Sequence, residues 1–215
     1  MIENEDQARD FVRSRCDERS FARLEQFTKA LIAENEKQNL VSRGTLDHIW
    51  QRHIADSAQL LDHVSHETSP WLDLGSGAGP PGLVIAAMRP DWTVVLVESR
   101  KRRVEWLKLM AHELKLPNCR VEGRRLEQVE TFPAGVISGR AFAPLPKLFD
   151  LSSRFSTNRT RWLLPKGRSA AQELLELPGR FGKMFHVEPS QTDHEAGIIV
   201  GQLKARRRAK VRANP

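Results

Sequence analysis

The chain changes character at Pro70. A short apolar run, WLDL (71–74), opens at once into GSGAGPPG, which places four glycines in the ten positions Asp73–Gly82. An apolar run, LVIAAM (83–88), follows with helical character. A strand that ends in a glycine-rich turn and re-enters as a helix is the first unit of an open α/β sheet. Ligands of such sheets lie beyond the carboxyl ends of the strands, near the point where strand order reverses. Glycine suits this turn because it admits positive φ and lets the backbone approach a ligand closely. Pro81 reads as the first helical residue, where its missing N–H costs nothing.

The alternation continues downstream. TVVLVE (93–98) is an apolar run with an acidic end, Lys101–Lys115 is a charged helical pattern, and short apolar runs stand at 119–122, 135–138, 162–165, 183–187 and 198–203. Strands alternating with helices predict a Rossmann-like, mostly parallel seven-stranded sheet covered on both faces. The last two runs are too close in sequence for a helical crossover, so they predict an antiparallel hairpin at one edge. Residues 1–68 read as a helical cap. Phe21, Leu24, Phe27, Leu31 and Ile32 recur at helical spacing. A second stretch runs from Thr45, read as an N-cap, to His63. Residues 69–203 then form the ligand-binding domain. Residues 204–215, KARRRAKVRANP, carry six basic residues and no acid, the pattern of a solvated tail or of an RNA contact.

Charge bounds the partner. The chain of 215 residues has 34 Lys and Arg against 27 Asp and Glu, a formal net charge of +7. That excess calls for a polyanionic partner or an unusually basic solvated surface. Cys16 and Cys119 stand in no metal-ligand spacing, so reduced thiols and no metal are expected. The N-terminus, MIENEDQARD, is polar and acidic rather than basic then apolar, and no apolar run is long enough to span a bilayer. A cytoplasmic protein without membrane association is the expectation.

The glycine loop admits more than one ligand. Gly77 to Gly82 matches G-x-G-x-x-G, the dinucleotide fingerprint, which alone is weak. Asp73 stands two residues before the first glycine, where a carboxylate repels a pyrophosphate but suits a cationic ligand. Glu98 ends the next strand, where a carboxylate can accept both hydroxyls of a ribose. A ligand with ribose and positive charge but no phosphates is described by S-adenosylmethionine. Asp73 as a cap on its own loop, and Glu98 as a solvated carboxylate beside Arg100 and Lys101, are the plainer alternatives. An NAD-linked oxidoreductase and a non-catalytic RNA-binding protein are the rival functions.

Eight segments in order now carry a resemblance: NEKQNLVS (35–42), RHIADS (52–57), DLGSGAGPPG (73–82), VESRKRRVEWL (97–107), HELKLPN (112–118), RRLE (124–127), VISGRAFAPL (136–145) and LLPKG (163–167). From about Asn35 to Gly167 the chain resembles the bacterial small-subunit ribosomal RNA methyltransferases once called glucose-inhibited division protein B. The resemblance implies a class I methyltransferase that uses S-adenosylmethionine to methylate N7 of a guanine in the 530 loop of 16S rRNA, acting as a monomer on the small ribosomal subunit. It places Asp73, Gly75, Ser76, Gly77, Gly79 and Pro80 along the cofactor, Glu98 at the ribose, and Leu126 and Glu127 beside the adenine. It assigns Arg140, Arg125 and Lys166 to the substrate side, with Arg140 also touching the cofactor. Departures are Pro80, where the family more often has leucine, Glu34, where it commonly has tryptophan, and Gly139, an apparent insertion before Arg140. A class I methyltransferase acting on another RNA, a protein or a small molecule is the alternative.

Guanine N7 carries a free lone pair, so methyl transfer to it needs alignment and no general base. The chain accordingly shows no compelling acid–base dyad, and no Asn/Asp-Pro-Pro-aromatic motif follows GVIS (135–138). Arg140 stands there instead, suited to guanine O6 or a phosphate. His53, Asp56 and Ser57 fall at i, i+3 and i+4, on one face of a regular helix that either ties the cap to the sheet or meets RNA. Asn39 reads as a cap for the turn between the two helical stretches. Phe142 is placed either to stack on the target base or to pack under the loop.

Overall fold

The computed structural model describes residues 1–65 and 68–203, the side chain of Arg180 excepted. The basic segment 204–215 lies outside the described residues. Seven strands form one sheet: β1 (Trp71–Leu74), β2 (Val94–Val97), β3 (Cys119–Glu122), β4 (Val136–Gly139), β5 (Arg161–Lys166), β6 (Phe185–Pro189) and β7 (Gly197–Gly201). Their order is β3-β2-β1-β4-β5-β7-β6, with β7 antiparallel to both neighbours and the remaining pairings parallel. Strand order therefore reverses between β1 and β4, which makes their carboxyl ends the place for a ligand. The edge hairpin is the expected one, and β7 inserts between β5 and β6. Gly139 continues the β1 register, opposite Leu74, so the apparent insertion adds no bulge.

Side chains alternate between two buried faces. Trp71, Val94, Leu96, Val136 and Leu163 enter one core cluster, whereas Leu72, Leu74, Val95, Val97, Ile137 and Trp162 enter the other. A parallel sheet buried on both sides needs apolar residues at both parities, which is why these runs are continuous rather than alternating. The first face is covered by α1 (Glu5–Arg13), α2 (Glu18–Asn35), an irregular helical segment from Trp50 to His63 that includes α3 (Asp56–Ala58), α4 (Gly82–Met88) and α5 (Lys101–Glu113). The second is covered by α6 (Leu145–Ser152), α7 (Ala170–Leu175) and α8 (Gly179–Gly182). The N-terminal helices thus share one core with the sheet rather than sitting apart from it.

Several local expectations change. Ile32 is 42% exposed, one residue beyond the buried Leu31 and so turned about 100° away from the sheet. Thr45 caps no helix. It ends a short 3-10 turn (Arg43–Thr45), and its hydroxyl donates to the Ser42 carbonyl at 2.8 Å while meeting His53 Nε2 at 2.9 Å. The stretch that follows is a π-helical turn (Trp50–Ala55), then α3, then a 3-10 turn (Gln59–His63). Asn35, not Asn39, holds the connection after α2: its side-chain oxygen accepts the Leu40 and Val41 N–H groups at 2.8 and 2.9 Å. Pro81 immediately precedes α4, and its carbonyl accepts the Ile85 N–H.

Gly82 is required at the head of α4. A Cβ there would stand 2.2 Å from Leu96 Cδ2 and 2.8 Å from Asp73 Oδ2, both on the sheet beneath. Gly82→Ala is expected to cost about 2–3 kcal/mol by overpacking, read as a lower urea midpoint at unchanged slope.

Candidate active site at the carboxyl ends of β1, β2 and β4

The glycine loop takes its shape from three residues in the left-handed region: Gly75 (φ 66°), Gly77 (φ 52°) and Gly79 (φ 120°). Three contacts hold it. The Ser76 N–H donates to the Val97 carbonyl. The Gly77 N–H donates to Glu98 Oε2 at 3.1 Å. Trp106, on the buried side of α5, donates its indole N–H to the Ala78 carbonyl at 2.9 Å. Glu98, 7% exposed, also accepts the Ser99 and Arg100 N–H groups through Oε1 at 2.7 and 2.8 Å. One carboxylate therefore ties the β1 loop to the turn that opens α5.

Two cavities border this loop, and a third adjoins the first at Arg140 and Ala141. The first, of about 270 Å³, is lined by Gly75, Ser76, Gly77, Pro80, Arg103 and Arg140, with Val41, Thr45 and His53 opposite. The second, of about 470 Å³, runs along the end of β2 past Glu98, Arg125, Leu126, Glu127 and Phe142. The third, of about 320 Å³, lies beyond Arg140 and holds Arg52, Asp56, Lys166, Glu173 and Asp193. Gly75, Arg103 and Ala141 border both the first and second, and Arg140 and Ala141 both the first and third. Ala141 itself holds a left-handed conformation, φ 54°, which is uncommon for a residue with a Cβ and recurs where a site over-determines the backbone.

Most of the sequence-predicted residues thus meet around one continuous groove, but not all. Asp73 is fully buried and borders none of these cavities. Its Oδ1 accepts the Ser138 hydroxyl at 2.7 Å, and Ser138 in turn accepts the Trp71 indole N–H at 2.8 Å, whereas Oδ2 lies under α4 without a partner. Burial pushes its carboxyl up to about 7, with the Ser138 hydroxyl pulling the other way. Gly79 also faces inward: a Cβ there would meet Leu83 at 2.6 Å and Phe27 at 3.1 Å. Its missing side chain serves packing of the loop on α2 and α4. Arg125 and Lys166 stand in different cavities, and Lys166 is engaged by Glu173 at 2.8 Å.

Arg140 leaves β4 between the first and third cavities. Its Nη1 donates to the Arg52 carbonyl at 3.2 Å and to His53 Nδ1 at 3.2 Å, with Asp56 Oδ2 at 3.7 Å. Burial, then the neighbouring Arg140 and Arg52 cations, push the His53 imidazolium down to about 3, so the ring is neutral near neutral pH. Its Nδ1 is then the acceptor for Arg140 and its Nε2–H the donor to Thr45. One tie between the helical segment and the sheet is therefore this chain, Arg140, His53, Thr45 and the Ser42 carbonyl; Arg52 to Asp193 at 2.6 Å and Thr192 to Asp56 at 2.8 Å supply others at the β6–β7 connection. Ser57 is turned back on the His53 carbonyl. Phe142 lies across Gly75, where any Cβ would come within 2.9 Å of its ring. The sequence reading missed Arg103 and Trp106; an indole within the otherwise charged run RKRRVEWLK (100–108) is the signal that marks Trp106.

Residues 20–194 match the family described as rRNA small subunit methyltransferase G, GidB. A relative of that name from Erythrobacter litoralis is 62% identical over 206 residues, covering 96% of this chain and all of the relative. Another from Novosphingobium aromaticivorans is 58% identical over 192 residues, covering 88% and 83% of the two chains. The chain belongs to this family. Among solved structures, a SAM-dependent methyltransferase from Aquifex aeolicus superposes with a TM-score of 0.57 at 13% identity, over 78% of this chain and 96% of that one. This agrees with the Rossmann-like class I methyltransferase fold.

Asp73 gives the site a pH signature. Its folded pKa, about 7, lies above the unfolded value of 3.8, so the folded state holds the extra proton between those pH values. Stability from this group is full below pH 4 and is lost as pH rises through 7. His53 carries the opposite sign, which mutes the slope of the unmodified chain. Asp73→Asn removes only the first contribution. Relative to the unmodified chain it is expected to gain roughly 3–4 kcal/mol between pH 4 and pH 8 in denaturant melts. An equal difference at both pH values would contradict the buried, protonated reading.

Proposed function

We propose that this protein transfers the methyl group of S-adenosylmethionine to N7 of a guanine in 16S rRNA, in the 530 loop, as a monomer in the cytoplasm. The observation that carries the reading is the placement of Arg140: a cation held by a carbonyl and a neutral histidine, at the border between the glycine-loop cavity and the open groove beyond it. The names of the relatives, ribosomal RNA small subunit methyltransferase G, support the substrate class.

The residues present fit the cofactor. The left-handed glycines leave the backbone of Gly75 and Gly77 open to the first cavity, and Glu98 borders the second with about one acceptor position, on Oε2, beyond the three its backbone partners use. Glu98 would hold the ribose hydroxyls, Leu126 and Glu127 would flank the adenine, and Gly75 to Gly77 would line the methionine side. When bound, S-adenosylmethionine would supply an electrophilic methyl carried on a sulfonium, of the kind a free lone pair such as that of N7 can accept in line, with the carbon–sulfur pair left on sulfur. No proton is moved, so the protein's work is alignment and exclusion of water. Arg140 grips guanine O6 or a neighbouring phosphate and leaves N7 free, because an N–H on N7 would occupy the nucleophile. Neutral His53 keeps that guanidinium aimed without cancelling its charge.

Two substitutions separate these roles. Glu98→Gln is expected to weaken S-adenosylmethionine about 10-fold or more in titration calorimetry, the worth of charge-assisted hydrogen bonds. Arg140→Ala is expected to lower kcat/KM on rRNA about 10- to 100-fold, a larger loss than its effect on cofactor affinity. Absence of S-adenosylmethionine binding by the intact protein would overturn the proposal.

A further inference from the structure

Beside the methyl-transfer groove lies a separate cavity of about 610 Å³ between the connection that follows α2 and the first turn of α5. Lys37 and Arg43 line it on one side, and Arg100, Lys101, Arg102 and Arg103 on the other, with Glu36 the one acidic residue of its lining. The acidic groups nearby neutralise little of this. Lys37 meets Glu34 at 3.2 Å with 70% of its side chain exposed, and Lys101 meets Glu105 at 4.0 Å with 91% exposed. Exposed pairs of this kind are weak and screened. Arg43, Arg100 and Arg103 have no carboxylate partner among the described residues.

The two walls are tied together. Arg102 donates to the Lys37 carbonyl at 3.3 Å, so the turn after α2 and the head of α5 keep a fixed separation. The cluster is also arranged at a cost, since cations in the first turn of α5 stand at the positive end of its dipole, where anions are favoured. Six like charges around one hollow repel each other, and a polyanion laid between them relieves that repulsion. Arg103 borders this cavity and both cofactor-side cavities, so a strand held here runs directly to the glycine loop.

We propose that this basic cleft holds the phosphodiester backbone of the substrate RNA next to the target base, supplying register and affinity rather than base identity. The proposal rests on the rRNA reading above. Hydrogen bonds to phosphate position a nucleic acid without reading its sequence, and each phosphate neutralised steepens the salt dependence of binding. The chemistry fits RNA rather than an acidic protein, because six cations line the cleft with only Glu36, Gln38 and Asn39 between them, and no apolar residue is there to anchor a protein side chain.

The test uses three exposed residues of the cleft that border none of the three cavities at the glycine loop and Arg140. The triple variant Lys37→Gln/Arg43→Gln/Lys101→Gln and its charge-keeping counterpart, Lys37→Arg/Arg43→Lys/Lys101→Arg, are compared with the unmodified chain. Binding to transcribed 16S rRNA and to assembled small ribosomal subunits is measured across a salt series, together with S-adenosylmethionine binding by calorimetry. The neutral triple variant is expected to bind RNA at least about 10-fold more weakly near 0.1 M salt, with its log–log salt slope shallower by about 2, at roughly 0.7 per lost contact to a single strand. Cofactor affinity should not move, and the charge-keeping variant should restore both affinity and slope. An unchanged slope in the neutral variant overturns the proposal, as does a loss confined to assembled subunits with naked rRNA unaffected, which would indicate a protein contact. If the unmodified chain neither binds nor methylates rRNA, the functional reading fails instead, and the two failures are told apart.

Discussion

Glu98 is the interaction on which the site depends. Its carboxylate accepts N–H groups from Gly77, Ser99 and Arg100, so that the loop leaving β1 and the turn leaving β2 are fixed to each other through one charged acceptor. A loop with three residues at positive φ has little conformational preference of its own, and glycine loses more freedom on ordering than other residues. Charge-assisted hydrogen bonds, roughly twice as strong as neutral ones, offset that cost where it arises. Trp106 adds a second anchor from α5, at the Ala78 carbonyl. The ligand-facing backbone is thus set before any ligand arrives, which is what an enzyme working by alignment requires.

The opposite wall follows a different logic. Arg140 has a carboxylate within reach, Asp56 at 3.7 Å, yet its closer partners are the Arg52 carbonyl and the His53 ring. Neutral acceptors orient a guanidinium and leave its charge available. Asp56 is itself occupied by Gln59 and Thr192, which draws it away from full pairing with Arg140.

The sheet was legible in the sequence because its signal is local. Apolar runs, the glycine loop and the short spacing before β7 each report on a few neighbouring residues, and every strand expected after Pro70 is present. The two departures at the loop concern what lies beneath it. Asp73 shares strand parity with Trp71, so its side chain goes to the face that α4 covers, and Gly79 meets Phe27 from a helix far away in sequence. Loop chemistry alone makes both look ligand-facing; tertiary packing turns them inward. His53 and Asp56 were readable as residues of interest, yet their roles depend on a π-helical turn that periodicity does not reveal. Thr45 was misread for a related reason, since a hydroxyl suited to capping was claimed by a histidine eight positions on.

The central claim is that this groove aligns a methyl donor with guanine N7. Its most direct test is to methylate 16S rRNA with the purified protein and isotopically labelled S-adenosylmethionine, then map the label to the base and atom. The account predicts one labelled guanine in the 530 loop, carrying the methyl at N7. Label on an exocyclic nitrogen, on a ribose hydroxyl or scattered over many guanines would contradict it.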